Sequence, residues 1–211
     1  MIKILIADDH IIIREGICFL LKNILPDVLI EQAPNGDVAL SKIKMNVYDL
    51  IILDAHMPGG DSFGLIANIL ARQPDARILM YSMNAEEIYA KRYFKAGVKG
   101  YINKEADAAE LKIAIHNVLN NKTYVSPELN VILLEEMLGN IKANPFNDLS
   151  AKEFEILQEM LEGRSVTEMS KIFNVHTSTI GTHKARILEK LDCKNIIQLS
   201  QLAKLHNVTY N

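Results

Sequence analysis

The chain has 211 residues, 49% of them hydrophobic and 23% charged, which is the composition of a soluble globular protein with one large or two smaller domains. No apolar run approaches the roughly 20 residues of a membrane-spanning helix, and acidic residues interrupt the N-terminal segment before a signal-peptide core could form, so a cytoplasmic protein without membrane contact is expected. The net charge of −3 is uneven: residues 1–148 contain 15 basic and 19 acidic side chains (net −4), whereas residues 164–211 contain 7 and 3 (net +4).

The first 120 residues alternate short apolar runs with segments of helical periodicity. Predicted strands cover residues 2–7, 28–33, 49–54, 76–81 and 100–102. Their residues are nearly all apolar rather than alternating with polar ones, as is typical of a sheet covered by helices on both faces. The pattern predicts an α/β fold with a doubly wound, five-stranded parallel sheet in residues 1–121.

The periodic pattern weakens after the fifth helix. A short helix is predicted over residues 128–138, between Pro127 and Gly139, and an Asn- and Pro-rich stretch follows it. We interpret residues 122–146 as a linker that contains this short helix.

Residues 147–211 are predicted to form a small all-α domain, because no strand candidate follows residue 150. Three helix starts are marked by a capping residue three positions ahead of Glu or Gln, in "SAKE" (150–153), "SVTE" (165–168) and "NIIQ" (195–198). Gly163 is expected to close the first of these helices.

Polar side chains stand at or just after the ends of four predicted strands. Asp8 and Asp9 end the first strand, Asp54 the third, Ser82 follows the fourth and Lys104 follows the fifth. The carboxyl ends of parallel strands meet at one edge of the sheet, where ligands collect. Three carboxylates that converge there repel one another unless a cation neutralises them, and oxygen ligands suit Mg²⁺.

Such a pocket can perform phosphoryl transfer. Asp54 can act as the nucleophile and form an aspartyl phosphate, with Lys104 and the metal stabilising negative charge and Ser82 donating a hydrogen bond. The turn formed by Pro58, Gly59 and Gly60 is expected to clear the space above Asp54. A single aspartate at a strand end is more often a cap or turn residue, but matching positions on separate strands favour the pocket.

Four segments carry a resemblance to a known family. "ADDH" (7–10), "LDAHMPGGD" (53–61), "MYS" (80–82) and "AGVKGYINKE" (96–105) resemble the receiver domains of bacterial two-component response regulators. The resemblance implies a flavodoxin-like receiver that a sensor histidine kinase phosphorylates on Asp54, with Mg²⁺ as cofactor. It assigns the metal to the carboxylates of Asp8, Asp9 and Asp54 and to the main-chain carbonyl of His56.

The same resemblance assigns a switch pair to Ser82 and Tyr101. In the family, the hydroxyl moves toward the phosphoryl group and the aromatic side chain swings inward. Tyr101 also fits a simpler role, that of an aromatic residue on an edge strand. Glu105 follows Lys104 where many receivers have proline.

Residues 165–191 show the pattern of a helix-turn-helix. One helix is predicted to end near Phe173, Asn174 and Val175 to form a tight turn, and a second helix to begin near Thr177. On the second helix, the inward-facing line consists of Ile180, Ile187 and Leu191.

The opposite face of the second helix is the predicted DNA-reading face. Small side chains project outward together and allow close approach to base edges, at Ser178, Gly181, Thr182 and Ala185. Basic side chains and a histidine around that face would suit phosphates, at His183, Lys184, Arg186 and Lys190. The charges alone also fit a solvated surface helix; the turn, the caps and the net charge of +4 favour DNA.

Residues 149–203 resemble the four-helix LuxR-type DNA-binding domain, so almost the whole chain resembles a NarL/FixJ-type response regulator. The resemblance implies binding to double-stranded DNA, a homodimer when phosphorylated or DNA-bound, and contact through the last helix, 195–205. RNA polymerase is a further candidate partner. Gly181 stands where such domains often carry lysine.

The main hypothesis is therefore a transcription factor controlled by phosphorylation, with no enzyme activity beyond phosphoryl transfer and dephosphorylation at Asp54. One alternative is a free-standing aspartyl-phosphate phosphohydrolase, although such enzymes often have an acid where this chain has His56. The other is a DNA-binding regulator that acts independently of phosphorylation.

Overall fold

The structure is a computed structural model that describes residues 1–57, 61–84, 86–140, 144–206 and 208. The chain divides into two compact units, Met1–Leu138 and Gly139–Asn211. The predicted turn at Pro58, Gly59 and Gly60 lies outside the described residues. None of the helices in the described part of the chain combines the length and the apolar content that crossing a bilayer requires.

The first unit contains a parallel sheet of five strands, as predicted. The strands are β1 (Ile2–Ala7), β2 (Val28–Ala33), β3 (Leu50–Leu53), β4 (Ile78–Ser82) and β5 (Gly100–Asn103). Their order in the sheet is β2-β1-β3-β4-β5, and every neighbouring pair is parallel. All five carboxyl ends therefore lie along one edge, with β1 and β3 adjacent at its centre.

Two strand boundaries differ from the prediction. β3 ends at Leu53, because the Asp54 N–H still donates to the Ala7 carbonyl but the next free N–H, that of His56, turns back to the Asp54 carboxylate. β4 begins at Ile78, because the Ala76 N–H closes a turn onto Gln73. The fourth strand also extends to include Ser82.

Five helices surround the sheet: α1 (Ile11–Ile24), α2 (Gly36–Met45), α3 (Ser62–Arg72), α4 (Glu86–Lys95) and α5 (Ala108–Leu119). One face of the sheet packs against α1 and α5 in an apolar cluster, whose most buried members include Ile4, Ile6, Leu21, Leu50, Leu79, Ala114, Ile115 and Val118. Each fully buried aliphatic side chain of this kind contributes about 1.5–3 kcal/mol of hydrophobic stabilisation.

A sixth helix, α6 (Pro127–Met137), forms where the short linker helix was predicted. Ser126 caps it by accepting a hydrogen bond from the Leu129 N–H, and an ion pair between Lys91 and Glu136 connects it to α4. It belongs to the first compact unit. Residues 141–143 of the predicted linker lie outside the described residues, and the exact domain boundaries remain a prediction.

The second unit is helical, as predicted. A short 3-10 helix (Pro145–Asp148) precedes α7 (Ala151–Leu161), α8 (Val166–Ile172), α9 (Thr177–Lys190) and α10 (Ile196–Leu205). α7 and α8 pack against α9 around a small apolar core that includes Phe146, Phe154, Ile156, Leu157, Ile180, Ile187 and Leu199.

Two of the three predicted capping boxes form completely, at Ser150 with Glu153 and at Ser165 with Glu168. At the third start, Asn195 accepts the N–H groups of Ile197 and Gln198, but the Gln198 side chain accepts from Lys194 rather than from Asn195. The hydrogen bond shifts by one residue because the longer Gln side chain reaches past the cap. Gly163 follows α7 with φ +80°, a left-handed conformation that favours glycine.

Candidate functional site

The acidic pocket forms at the carboxyl edge of the sheet. Asp8 follows β1, Asp54 follows β3 and Lys104 follows β5, so three separate strands bring these side chains together. The Lys104 Nζ atom lies 2.7 Å from Asp8 Oδ2 and 2.9 Å from Asp54 Oδ2. All three side chains are at most 4% exposed. The predicted pairing of these strand ends is therefore present in the structure.

Burial and charge oppose each other in this pocket. Burial raises the pKa of the Asp54 carboxyl above its ordinary value, although the Lys104 ammonium favours the charged form. For Lys104, burial alone would lower the pKa, but the hydrogen bonds to Asp54 and Asp8 outweigh it and the pKa is raised. The ammonium is therefore held in its charged form against two buried carboxylates.

Asp9 and His10 complete the open side of the pocket. The His10 N–H donates to Asp8 Oδ1 over 2.8 Å, and His10 Nδ1 lies 2.8 Å from Asp9 Oδ1. Ligand atoms of Asp8, Asp9, His10 and Asp54 all lie within 4.8 Å of one another. Asp8 Oδ2 and Asp9 Oδ1 are buried and accept no well-aligned hydrogen bond, although each has a nitrogen cation or ring nitrogen nearby. This donor set has room for a divalent cation and the oxygen chemistry that suits Mg²⁺.

His56 lies beside the pocket. Its N–H donates to Asp54 Oδ1 over 3.1 Å, and its ring Nδ1 lies 3.4 Å from Asn84 Nδ2. These contacts fix the backbone next to Asp54, where the main-chain carbonyl of His56 is the predicted fourth metal ligand.

Ser82 and Tyr101 form a buried hydrogen-bonded pair on neighbouring strands. The Tyr101 hydroxyl accepts a hydrogen bond from Ser82 and donates to the Asn84 carbonyl over 3.0 Å. Both residues are fully buried, and burial raises the pKa of Tyr101. Tyr93 on α4 packs against the Tyr101 ring, with centroids 5.7 Å apart. Tyr101 thus lies inward, although β5 is an edge strand.

Two residues near the pocket were not predicted. Arg14, 9% exposed on α1, donates from Nη1 to the Asp8 carbonyl over 2.7 Å and from Nε to Gln32. Asn84 supplies the carbonyl that holds Tyr101. Arg14 carried a sequence signal, since it stands in the buried stripe of α1 with Ile17 and Leu21; Asn84, a loop residue, carried none.

The second unit contains the predicted helix-turn-helix. Asn174 adopts φ +50° in the turn between α8 and α9, a conformation that asparagine tolerates better than most residues. Ile180 and Ile187 are fully buried and Leu191 is 6% exposed, so the predicted inward line faces the core. The predicted reading face is exposed, at Ser178, Gly181, Thr182 and Ala185.

The predicted phosphate contacts differ in their surroundings. Arg186 is exposed, and His183 and Lys184 are half-buried. Lys190 already has partners: its Nζ lies 2.7 Å from Glu153 Oε2 and 3.2 Å from the Asp148 carbonyl. A phosphate contact by Lys190 would have to compete with both. On the reading face, the Thr182 hydroxyl donates to the Ser178 carbonyl over 3.0 Å.

Comparisons with known proteins agree with this arrangement. Residues 4–116 match the family described as "Response regulator receiver domain", and residues 147–203 match "Bacterial regulatory proteins, luxR family". The chain is 35% identical to the oxygen regulatory protein NreC of Staphylococcus carnosus (strain TM300) over 210 residues, which cover 95% of the chain and 96% of NreC.

Two solved structures extend the likeness to nearly the whole chain. RcsB from Salmonella enterica serovar Typhimurium, bound to promoter rprA in the presence of phosphomimetic BeF3−, is 25% identical with a TM-score of 0.73, covering 97% of this chain and 99% of that one. The structure of two RcsB dimers bound to two parallel DNAs is 27% identical with a TM-score of 0.61, covering 99% of each chain.

Proposed function

Because the chain belongs to the response regulators that join a receiver domain to a LuxR-type DNA-binding domain, we propose that it is a transcription regulator controlled by phosphorylation of Asp54. The observation that carries this proposal is the contact of the Lys104 ammonium with both Asp8 and Asp54 at the carboxyl edge of the sheet. A buried aspartate beside a fixed cation is an acceptor to which a phosphoryl group can be transferred without a large change in local charge.

The transfer itself is a displacement at phosphorus. A carboxylate oxygen of Asp54 forms a bond to phosphorus while the bond from phosphorus to the donor's leaving atom breaks, and the leaving atom retains the electron pair. In a sensor histidine kinase that atom is an imidazole nitrogen. Lys104 lies 2.9 Å from Asp54 Oδ2 and so can stabilise negative charge on the transferred group.

We assign the metal ligands to Asp8, Asp9, Asp54 and the main-chain carbonyl of His56. The buried Asp8 Oδ2 and Asp9 Oδ1 atoms, which accept no well-aligned hydrogen bond, support this assignment. When bound, Mg²⁺ neutralises the phosphoryl oxygens and helps to orient them.

Ser82 connects phosphorylation to a structural change. Its hydroxyl has one proton, which it donates to Tyr101 in the unphosphorylated pocket. If that proton is donated to a phosphoryl oxygen on Asp54 instead, the Tyr101 hydroxyl loses a partner in a buried site. A buried hydroxyl that loses a hydrogen bond costs about 1–3 kcal/mol, which is enough to shift a conformational equilibrium around β4, β5 and α4.

The second unit is the proposed DNA-binding part. α9 places its small residues, Ser178, Gly181, Thr182 and Ala185, toward base edges, and Arg186, Lys184 and His183 toward phosphates. Lys190 is the weakest of the proposed phosphate contacts because Glu153 engages it. By analogy with the RcsB complexes, we propose that the regulator acts on double-stranded DNA as a homodimer; the sensor histidine kinase and RNA polymerase are its remaining proposed partners.

The proposal is tested with acyl phosphate and Mg²⁺ on wild type and Asp54→Asn. We expect the wild type to gain one phosphoryl group on Asp54, by intact mass and peptide mapping, and to bind DNA fragments selected from a random pool more tightly, with increased dimerisation. Asp54→Asn keeps the shape of the side chain and should do neither. Phosphorylation on another residue, or equal DNA binding and dimerisation by all forms, would contradict the proposal.

A further inference from the structure

His10 occupies the N-cap of α1 but makes no capping hydrogen bond. Its φ and ψ, −82° and 110°, are those of an ordinary N-cap residue, so the side chain could turn toward the first turn of the helix. The imidazole turns instead toward the acidic pocket. Its Nδ1 atom lies 2.8 Å from Asp9 Oδ1 and 3.2 Å from Asp8 Oδ1.

Those separations fit two ligands of one metal ion. Adjacent ligands in an octahedral site are separated by about 1.4 times the metal–ligand distance, which is about 3.0 Å for the 2.0–2.1 Å bonds of small divalent ions. The two observed separations lie on either side of this value. A ring nitrogen so close to carboxylate oxygens needs either its own proton or a cation between the atoms, because two lone pairs repel each other.

The other charges of the pocket restrict which atoms remain available. Asp8 Oδ1 accepts the His10 N–H, and Asp8 Oδ2 lies beside the Lys104 ammonium. Asp54 faces Lys104 through Oδ2 and the His56 N–H through Oδ1. Asp8 is 1% exposed, yet its Oδ2 accepts no well-aligned hydrogen bond, and the same holds for Asp9 Oδ1. The open side of the site is thus bounded by Asp9 and by the His10 ring.

We propose that His10 Nδ1 is a nitrogen ligand of the divalent-cation site, and that the pocket therefore binds first-row transition ions more tightly, relative to Mg²⁺, than an all-oxygen site would. This inference rests on the proposed function, since it concerns the same site. Imidazole is a good ligand for manganese, nickel and zinc ions but a poor one for magnesium, and the affinity of mixed nitrogen and oxygen sites rises from Mn²⁺ through Ni²⁺.

Pulsed EPR of the full-length protein loaded with Mn²⁺ tests the bond directly. The wild type is expected to show coupling to a directly bonded ¹⁴N nucleus, and His10→Gln is expected to lose it while retaining Mn²⁺. By calorimetry, the ratio of Ni²⁺ to Mg²⁺ affinity should fall about tenfold or more in His10→Gln, with Mg²⁺ affinity nearly unchanged. His116→Ala, which removes an exposed histidine of α5, is the matched control and should keep both the coupling and the ratio.

Each other outcome has a defined meaning. If the nitrogen coupling is absent from the wild type or persists in His10→Gln, or if the affinity ratio does not change, His10 is only a hydrogen-bonding neighbour of the acids and the inference is wrong. The proposed function has a separate readout, the Mg²⁺-dependent transfer of a phosphoryl group to Asp54 of the wild type. That transfer can succeed when the nitrogen ligand is disproved, and the nitrogen ligand can be found when that transfer fails.

Discussion

Lys104 places one ammonium between two carboxylates that are almost completely buried. Removing one partner of a buried charge network leaves the other charges without compensation, at a cost of about 3–5 kcal/mol. The residue is therefore important for the stability of the empty pocket as well as for phosphoryl transfer.

We expect Lys104→Met, which keeps the length of the side chain, to lower the free energy of unfolding of the first unit by about 3–5 kcal/mol without Mg²⁺. Added Mg²⁺ should stabilise this variant more than the wild type, because the ion replaces the missing cation. Urea unfolding followed by tyrosine fluorescence, with and without Mg²⁺, measures both effects.

Two variants make this measurement specific. Lys112→Met removes an exposed lysine of α5 and should have little effect. Adding Asp54→Asn to Lys104→Met removes one charge of each sign and should recover part of the lost stability. Equal stability of Lys104→Met and the wild type would show that the ion pairs contribute nothing.

At the scale of single elements, α9 has an unusual residue in its exposed face. An added Cβ at Gly181 would meet no atom within 4 Å, so larger side chains fit there without rearrangement. Glycine inside a helix is about 1 kcal/mol less favourable than alanine. The glycine therefore lowers the stability of α9, and the cation that related domains often have at this position is missing.

We expect Gly181→Ala to stabilise the second unit by about 1 kcal/mol and to leave the salt dependence of DNA binding unchanged. Gly181→Lys should add a phosphate contact, which makes the slope of log affinity against log salt more negative by about 0.9. Titrations of a selected DNA fragment at several salt concentrations measure the slope. A slope in Gly181→Lys equal to that of Gly181→Ala would show that this position does not face a phosphate.

The start of α7 is joined to the end of α9 by one carboxylate. Glu153 is 4% exposed and accepts hydrogen bonds from the Ser150 N–H and from Lys190. Burial raises the pKa of Glu153, but these hydrogen bonds outweigh it and hold the pKa below 4.5 in the folded protein. The stabilisation is therefore complete above pH 4.5 and is lost as the pH falls through the folded pKa.

We expect Glu153→Gln to lower the stability of the second unit at neutral pH by about 1.5–3 kcal/mol, because a charged hydrogen-bond acceptor is replaced by a neutral one. The variant should also lose part of the decline in stability on acidification. Methyl NMR signals of Ile180 and Ile187 during denaturation at several pH values report on this unit. Glu189→Gln, at an exposed position of α9, is the control; the same pH profile in wild type and Glu153→Gln would contradict the prediction.

Local sequence signals predicted the elements better than the contacts between them. The Ser150 and Ser165 capping boxes depend on residues three positions apart and form as predicted. The bond between Glu153 and Lys190 joins residues 37 positions apart, so no local pattern could indicate that Lys190 is engaged. The inward position of Tyr101 depends in the same way on α4 and Asn84, which pack over an edge strand that would otherwise expose it.

At the scale of the whole molecule, the chain contains two compact units with separate apolar cores. The sequence has no tryptophan, and its six tyrosines within the described residues, at positions 48, 81, 89, 93, 101 and 124, all belong to the first unit. Tyrosine fluorescence thus reports mainly on the sheet, and the isoleucine methyl groups of α9 report on the helical unit.

We expect Ile52→Ala, which removes a 1% exposed side chain from β3, to destabilise the tyrosine-monitored transition by about 2–5 kcal/mol. The methyl-monitored transition of Ile180 and Ile187 should stay where it is, because the cavity lies in the other core. Ile12→Ala, at an 83% exposed position of α1, should shift neither transition. If both transitions move together in Ile52→Ala, the two units unfold as one cooperative body.

Asp8, Asp54 and Lys104 meet in space although Asp54 and Lys104 alone are 50 residues apart in sequence. A chain growing on the ribosome exposes both aspartates well before the lysine, and domains generally fold as units. A chain that terminates before residue 104 consequently lacks the ammonium and the last strand. Such a fragment would not withdraw phosphoryl groups from the kinase at the expense of the finished regulator.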